Sequence, residues 1–396
     1  MREADWTVLI YANGNNDLAS EMRKIMADAE KVGANERVHV AIQIASLEPA
    51  LLKEIRREFN WEEPDGWSGV RRYYIHKGKS KLLEEFGNVN MADPRQLLAF
   101  LQWGISSFPA AKYMLSLCGH SYQFVGLLTD YSLDAPYIMG IAEAVRAINL
   151  AANGLGKKID ILLLDTCYAN SLELLYELGM EESHAVQTVL TYLGSGPVEG
   201  MPYDAILHVV EAAGPGTDRA ALLKMLVARL PCNLVSFSID YQKLQQIKRL
   251  FHEKTMEYWT ASAGKGQAAS ALSTADQLHI LRSISSIAPP IYLYYKSPSA
   301  GSSLIAVASG MQDNFNLLSY YDHLGFAKNN CWATLLRGRP GACPDPAKAG
   351  QDIGLSPLKM SPREVFESIS IMNPNLDPSQ IRLMLEALYR SNNWVL

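Results

Sequence analysis

Short apolar segments alternate with amphipathic stretches along the first two-thirds of the chain. The apolar segments are mostly continuous, as in strands buried on both faces, and lie at residues 7–11, 38–44, 113–117, 159–164 and 185–190. Between them, apolar residues recur at helical spacing over residues 18–32, 94–106, 135–151 and 171–178. This alternation predicts a predominantly parallel central sheet with helices on both faces, which is a three-layer α/β sandwich.

The composition changes at residue 338. Residues 338–362 contain 4 Gly and 5 Pro, a content that predicts a linker over 338–360. Beyond it, Ser361-Pro362-Arg363-Glu364 has the pattern of a helix-capping box, and Asp377-Pro378 starts a second amphipathic helix. We therefore expect a main domain at 1–337 and a small helical module at 361–396. Two helices this short need a surface to dock on, which the main domain, a second copy or a partner protein could offer.

Charge and cysteine content narrow the class of protein. The 36 Lys+Arg and 41 Asp+Glu give a net charge of −5, which argues against nucleic acid or an anionic membrane as partner. No apolar run reaches the roughly 20 residues of a membrane helix, and the first residues lack the pattern of a signal peptide. The five cysteines form no metal-ligand spacing. They predict free thiols in a reducing compartment, so we expect a cytoplasmic protein without a bound metal.

Two chemically active residues follow predicted strands. His120 comes after the strand at 113–117, and Cys167 comes after the strand at 159–164. Their separation is about one strand–helix–strand unit, so the two strands should be neighbours and both residues should lie at the same sheet edge. An imidazole can act as base or cationic neighbour for a thiol, which predicts a catalytic pair. The competing interpretation is a buried structural cysteine.

Several motifs of the chain resemble those of the clostripain-like cysteine peptidases, relatives of caspases, gingipains and legumains. The motifs are Trp6 to Ala12 with Asn15-Asn16-Asp17-Leu18, Leu117-Cys118-Gly119-His120, Asp165-Thr166-Cys167 and Gly200-Met201-Pro202-Tyr203-Asp204. The resemblance covers roughly residues 5–337. It implies a caspase-like fold for the sandwich, with the C-terminal helices as an extension.

The resemblance also implies roles for individual residues. Cys167 would be the nucleophile and His120 the general acid and base, with the backbone amides of Ser121 and Cys167 as oxyanion hole. Asp165 and Glu199 would bind the substrate, so that cleavage follows Arg or Lys at P1. The family usually has Gly where this chain has Ser121, and a Cβ there would weaken catalysis if the backbone needs a positive φ. Asp165 could instead cap the following helix.

The distribution of charge agrees with a cationic substrate. Residues 159–218 contain ten acids and no Lys or Arg, which would give the site an acidic mouth unless the skew reflects surface helices alone. We expect no cofactor, while calcium stays open because it occurs in the family although this chain has no DxDxDG loop. Two alternatives remain. One is a catalytically weak caspase-like scaffold that recruits partners through 361–396, and the other is an unrelated doubly wound domain that binds a small ligand.

Overall fold

The computed structural model describes residues 3–56, 66–263, 273–296, 304–308, 317–337, 343, 354–373, 375–392 and 394. Its strands are β1 (Ala4–Ala12), β2 (Val38–Ser46), β3 (Gly69–His76), β4 (Lys79–Gly87), β5 (Ala110–Cys118), β6 (Leu127–Asp130), β7 (Tyr137–Met139), β8 (Ile161–Asp165), β9 (Thr188–Tyr192), β10 (Leu234–Ser238), β11 (Tyr292–Tyr295) and β12 (Leu358–Lys359).

Helices connect the strands and follow them. They are α1 (Ala19–Val32), α2 (Pro49–Ile55), α3 (Pro94–Ser107), α4 (Ile141–Gly154), α5 (Leu172–Gly179), α6 (Tyr203–Ala212), α7 (Arg219–Arg229), α8 (Tyr241–Ala263), α9 (Thr274–Ser285), α10 (Leu318–His323), α11 (Gly325–Lys328), α12 (Trp332–Leu336), α13 (Pro362–Met372) and α14 (Pro378–Asn392). None of the helices in the described ranges is long and apolar enough to cross a membrane.

The central sheet has nine strands in the order β11-β10-β9-β8-β5-β1-β2-β3-β4. The five strands from β9 to β2 are parallel, and antiparallel pairs extend the sheet at both edges. Each face of the sheet is covered by its own apolar core, as expected for strands with continuous apolar sequences. The predicted three-layer sandwich is confirmed. The antiparallel hairpin of β3 and β4 was missing from the sequence prediction.

The C-terminal helices dock on the main domain. Their buried residues Val365, Ile369, Ile381 and Leu388 belong to the same apolar core as α3, α4 and α5. The end of the predicted linker is a strand, because β12 pairs with β7 in a small three-stranded sheet. The main part of the linker, residues 344–353, lies outside the described residues.

The structure corrects one expectation about the cysteines. Cys331 and Cys343 form a disulfide, whereas Cys118, Cys167 and Cys232 are free thiols. The two paired cysteines are brought together by α12 and the start of the predicted linker. Disulfides are typical of oxidising compartments. The cytoplasmic location therefore stays a prediction that the cysteines do not support.

Candidate active site

The predicted catalytic residues lie at one edge of the sheet. Strands β5 and β8 are paired in parallel, with Cys118 opposite Asp165 in the register. His120 and Cys167 each follow two residues beyond this matched pair, so their loops leave the sheet side by side. The amide of Gly119 donates to the Asp165 carbonyl at 3.3 Å. This adjacency was predicted from the strand ends, and the register shows its physical basis.

A serine ties the two loops together. The Ser121 hydroxyl donates to the backbone carbonyl of Cys167, in a short hydrogen bond between residues that are 46 positions apart. The backbone of Ser121 does not lie in the left-handed region, so its Cβ imposes no strain there. Serine in place of the family's glycine therefore adds a contact without a conformational penalty.

His120 is held by a carboxylate that the sequence analysis did not assign to the site. Its Nε2 atom lies 2.8 Å from Oδ1 of Asp17, and its side chain is 28% exposed. Because a carboxylate only accepts hydrogen bonds, Nε2 carries the proton and Nδ1 is left for chemistry. The ring of Tyr122 stacks near the imidazole with 6.4 Å between centroids.

The environments of His120 and Asp17 favour the charged form of each. Burial alone would lower the pKa of His120, but the hydrogen-bonded Asp17 carboxylate and the nearby Glu21 raise it above its ordinary value. Burial would likewise raise the pKa of Asp17, but His120 and Arg56 lower it. An imidazolium–carboxylate pair is thus stabilised at the mouth of the site.

Asp17 is positioned by the polar turn after β1. The Asn16 side chain accepts from the Leu18 amide at 2.9 Å and donates to the Thr129 carbonyl at 2.8 Å. Arg56 donates to the Asp17 carbonyl and to both oxygens of Glu21, each at 2.8 Å. The turn is therefore fixed against the strand that follows the histidine loop. An aspartate just before a helix is typical of an N-cap, yet the N-cap of α1 is Leu18 and no side chain caps the helix.

Cys167 lies on the loop between β8 and α5 with its thiol half-buried. Its Sγ atom is 3.4 Å from the Ser195 hydroxyl, which belongs to the loop after β9. Tyr168 has a φ of 53°, a conformation that is costly for a side chain of this size. The Tyr168 amide donates to the Gly194 carbonyl at 2.7 Å, so the strained turn is stabilised by the same loop.

The two amides predicted for the oxyanion hole belong to the two loops that the Ser121 hydroxyl joins at the Cys167 carbonyl. Within the described ranges, neither the Ser121 amide nor the Cys167 amide donates to a backbone carbonyl. The neighbouring donors are committed elsewhere, since the Tyr122 amide donates to Gly126 and the Leu128 amide donates to His120. Both amides can therefore serve an incoming carbonyl oxygen.

Asp165, predicted to bind substrate, is buried and already engaged. It accepts from the Tyr192 hydroxyl at 2.6 Å and from the Met201 amide at 3.2 Å. Burial raises the pKa of its carboxyl, although these donors counteract the rise. A Cβ on Gly200 would come 3.0 Å from its Oδ2 atom, so the loop passes directly over the carboxylate. Glu199 precedes this glycine and is exposed.

The acidic mouth expected from residues 159–218 is smaller than the sequence implied. Glu173 and Glu177 are buried, where they accept from the amides of Ala308 and Phe326. Asp160 precedes β8 and lies at the opposite end of that strand from Cys167. The skew in charge therefore includes carboxylates with structural roles.

No group of three or more His, Cys, Asp or Glu side chains that could hold a metal occurs in the part of the chain that the structure describes. The expected independence from metals, with calcium left open, stays a prediction.

Comparison with known proteins agrees with the geometry. Residues 77–222 match the Peptidase_C11 family, described as the clostripain family. Both His120 and Cys167 fall within this range, whereas Asp17 lies outside it. No curated protein matches the chain.

Two solved structures have a similar fold. One is a secreted C11 cysteine protease from Bacteroides thetaiotaomicron in complex with an irreversible peptide inhibitor, with 13% identity, a TM-score of 0.59 and coverage of 83% of this chain and 99% of that chain. The other is an inactive zymogen C11 protease from Parabacteroides distasonis, with 13% identity, a TM-score of 0.56 and the same coverage. The fold predicted from the sequence is confirmed by these structures, and the family match over residues 77–222 bears out the resemblance to cysteine peptidases of the clostripain type.

Proposed function

We propose that this cysteine peptidase of the clostripain type hydrolyses peptide bonds with Cys167 as nucleophile and His120 as general acid and base. The observation that carries the proposal is the matched position of the two residues beyond the paired strands β5 and β8. Ser121 supports it, because its hydroxyl joins the histidine loop to the carbonyl of Cys167.

The residues can perform the reaction in two steps. The proton of the Cys167 thiol passes to Nδ1 of His120, and the sulfur attacks the scissile carbonyl; the C–N bond then breaks and His120 donates that proton to the leaving amine. Water next attacks the thioester while Nδ1 of His120 takes up its proton, and the C–S bond breaks, which releases the acid product and the Cys167 thiolate. The negative charge on the carbonyl oxygen in each step is stabilised by the amides of Ser121 and Cys167.

Asp17 acts as a positioning residue in this scheme. Its hydrogen bond to Nε2 fixes the tautomer and the ring orientation of His120, and its charge stabilises the imidazolium. The raised pKa of His120 means that the proton for the leaving amine is retained to higher pH than on an ordinary histidine.

We propose Arg or Lys as the P1 residue of a protein or peptide substrate. Support comes from Asp165, two residues before the nucleophile, and from the exposed Glu199 on the loop that covers it. Tyr192 and Met201 are neutral donors, and Lys24 is a cation whose charge acts on Asp165. A substrate cation at the exposed Glu199 would add a second positive charge near this buried carboxylate.

The docking of the C-terminal helices argues against the scaffold alternative. It requires C-terminal helices that recruit a partner, whereas Val365, Ile369 and Leu388 of these helices are buried in the core of the catalytic domain.

Hydrolysis of a peptide library, with product termini identified by mass spectrometry, tests the proposal. We expect cleavage after Arg and Lys that is lost in Cys167→Ala. A folded wild-type protein that cleaves no peptide would contradict peptidase function, and cleavage without preference at P1 would contradict the role of Asp165 and Glu199.

A further inference from the structure

A groove with a volume of about 420 Å³ opens beside His120. One wall carries His120 and Tyr122 of the histidine loop. A mostly apolar wall comes from the C-terminal helices and the turn between them, with Ile369, Leu376, Ile381, Leu383 and Met384 beside the polar Asn373 and Gln380. The catalytic domain and the C-terminal module therefore share one cavity at the proposed catalytic base.

The wall is anchored through contacts outside the groove. Strand β12 pairs with β7, and the side chains of Asn392 and Trp394 donate to the carbonyls of Tyr131 and Leu133, both at 2.7 Å. The module is thereby hydrogen-bonded to the segment that follows the histidine loop.

A second anchor connects the wall to the cysteine loop. The Tyr168 hydroxyl donates to the carbonyl of Met372, at the end of α13, at 3.3 Å. Tyr168 directly follows Cys167, so the module contacts the cysteine loop as well as the segment after the histidine loop.

The wall leaves apolar surface in contact with solvent. Leu383 is 52% exposed and Leu376 is 39% exposed, and Val198 across the groove is 59% exposed. An apolar ligand side chain would remove this surface from water, which is favourable. Among the polar residues of the groove, Asp17 is bonded to His120, Arg56 to Glu21 and Glu54 to Arg390.

The mechanism indicates which part of a substrate enters the groove. His120 donates its proton to the leaving amine, so the residues on the leaving-group side of the scissile bond emerge next to its ring. We propose that the C-terminal helices form the apolar subsite for the P1′ or P2′ side chain of the substrate. This inference rests on the proposed function, since it needs Cys167 and His120 to act as described.

Fluorogenic peptides with Arg at P1 test the inference. We compare kcat/KM for Leu with that for Gly at P1′ and at P2′ in turn, for the wild type and for Leu383→Gln. A complete apolar pocket discriminates about 10-fold to 200-fold for such changes. We expect wild-type preference for Leu at one of these positions, reduced roughly threefold to tenfold in Leu383→Gln because part of the wall becomes polar.

Ile371→Gln is the matched control. Ile371 is an exposed apolar residue of α13 that does not line the groove, so its variant should keep the wild-type preference. An equal loss of preference in both variants would contradict the subsite.

A covalent probe separates failure of the subsite from failure of the proposed function. A chloromethylketone with Arg at P1 has no peptide on the leaving-group side. Labelling of Cys167 together with equal rates for Leu and Gly would overturn the subsite alone. A change in Leu383→Gln confined to P2 or P3 would overturn its assignment to the leaving-group side. Absence of both labelling and cleavage would overturn the proposed function and the inference that rests on it.

Discussion

Two aspartates near the same edge of the sheet have opposite electrostatic environments. Asp17 lies beside His120, and its pKa is lowered because a histidine and an arginine compensate the effect of burial. Asp165 precedes Cys167, and its pKa is raised because burial outweighs both the neutral donors around it and the charge of Lys24. A buried carboxylate with a cationic partner stays ionised. A buried carboxylate with neutral donors is ionised less readily, and a cation from the substrate would stabilise its charge. The carboxylate beside the histidine loop thus has cationic partners at hand, whereas the carboxylate before the cysteine loop is surrounded mainly by neutral donors.

The largest effect is expected from His120→Ala, which removes the group that Asp17 holds. Loss of general acid and base catalysis should lower kcat by roughly 10²-fold to 10⁴-fold. Steady-state kinetics on a peptide with Arg at P1 measures the effect. A thermal melt checks the fold, and a folded variant with wild-type kcat would show that His120 is not the acid and base.

The next largest effect is expected from Asp17→Asn. The amide can no longer stabilise the imidazolium, so kcat/KM should fall about tenfold to a hundredfold, the range of a charge-assisted hydrogen bond of roughly 1.5–3 kcal/mol. The pKa of His120 should also fall. The alkaline limb of the pH profile of kcat/KM, where the proton for the leaving amine is lost, should therefore move to lower pH.

The control for Asp17→Asn is Asp17→Glu, which keeps the charge. Partial recovery of the alkaline limb in this variant is expected. An alkaline limb that stays at the wild-type pH in Asp17→Asn would mean that Asp17 is only a structural residue of the turn.

Asp165→Asn tests the other half of the comparison. If the charge of Asp165 stabilises a substrate cation, the preference for Arg over a neutral P1 residue should drop roughly tenfold in Asp165→Asn. Since burial raises the pKa of Asp165, the wild-type preference should also weaken on acidification at a higher pH than an ordinary aspartate would give. A stability loss with an unchanged P1 profile would instead identify Asp165 as an anchor for Tyr192 and Met201.

The smallest effect is expected from Ser121→Ala, which removes the hydrogen bond to the Cys167 carbonyl but keeps the backbone amide. A net hydrogen bond contributes about 0.5–1.5 kcal/mol, so kcat should fall only about twofold to tenfold. Measurement of kcat alongside the melting temperature distinguishes loss of alignment from loss of stability. A loss of kcat as large as that of His120→Ala would contradict the assignment of the Ser121 backbone amide, and not its hydroxyl, to the oxyanion hole.

The sequence predicted those elements that have a strong local pattern. Strands β1, β2, β5 and β8 are continuous apolar segments, and their order placed His120 and Cys167 together. The hairpin of β3 and β4 has no such pattern because charged pairs fill it, such as Arg71 with Glu85 at 3.0 Å. Its one buried arginine, Arg72, lies over the ring of Trp103 at 4.3 Å, a contact that no local pattern indicates.

The missed part of the site depends on contacts between distant residues. Asp17 and His120 are 103 positions apart, and an aspartate just before a helix resembles a cap when read alone. The available signal was positional, since β1 and β5 are neighbours and the loops after both strands meet at one edge. The docking of α13 and α14 beside His120 could not be predicted, because amphipathic faces do not specify which surface they cover.

The most direct test of the central claim is the site of labelling by a chloromethylketone with Arg at P1, read by intact mass and peptide mapping. The account predicts one label per chain, located on Cys167, absent in Cys167→Ala and slowed in both His120→Ala and Asp17→Asn. Labelling of Cys118 or Cys232, or labelling of Cys167 at the wild-type rate without His120, would contradict it.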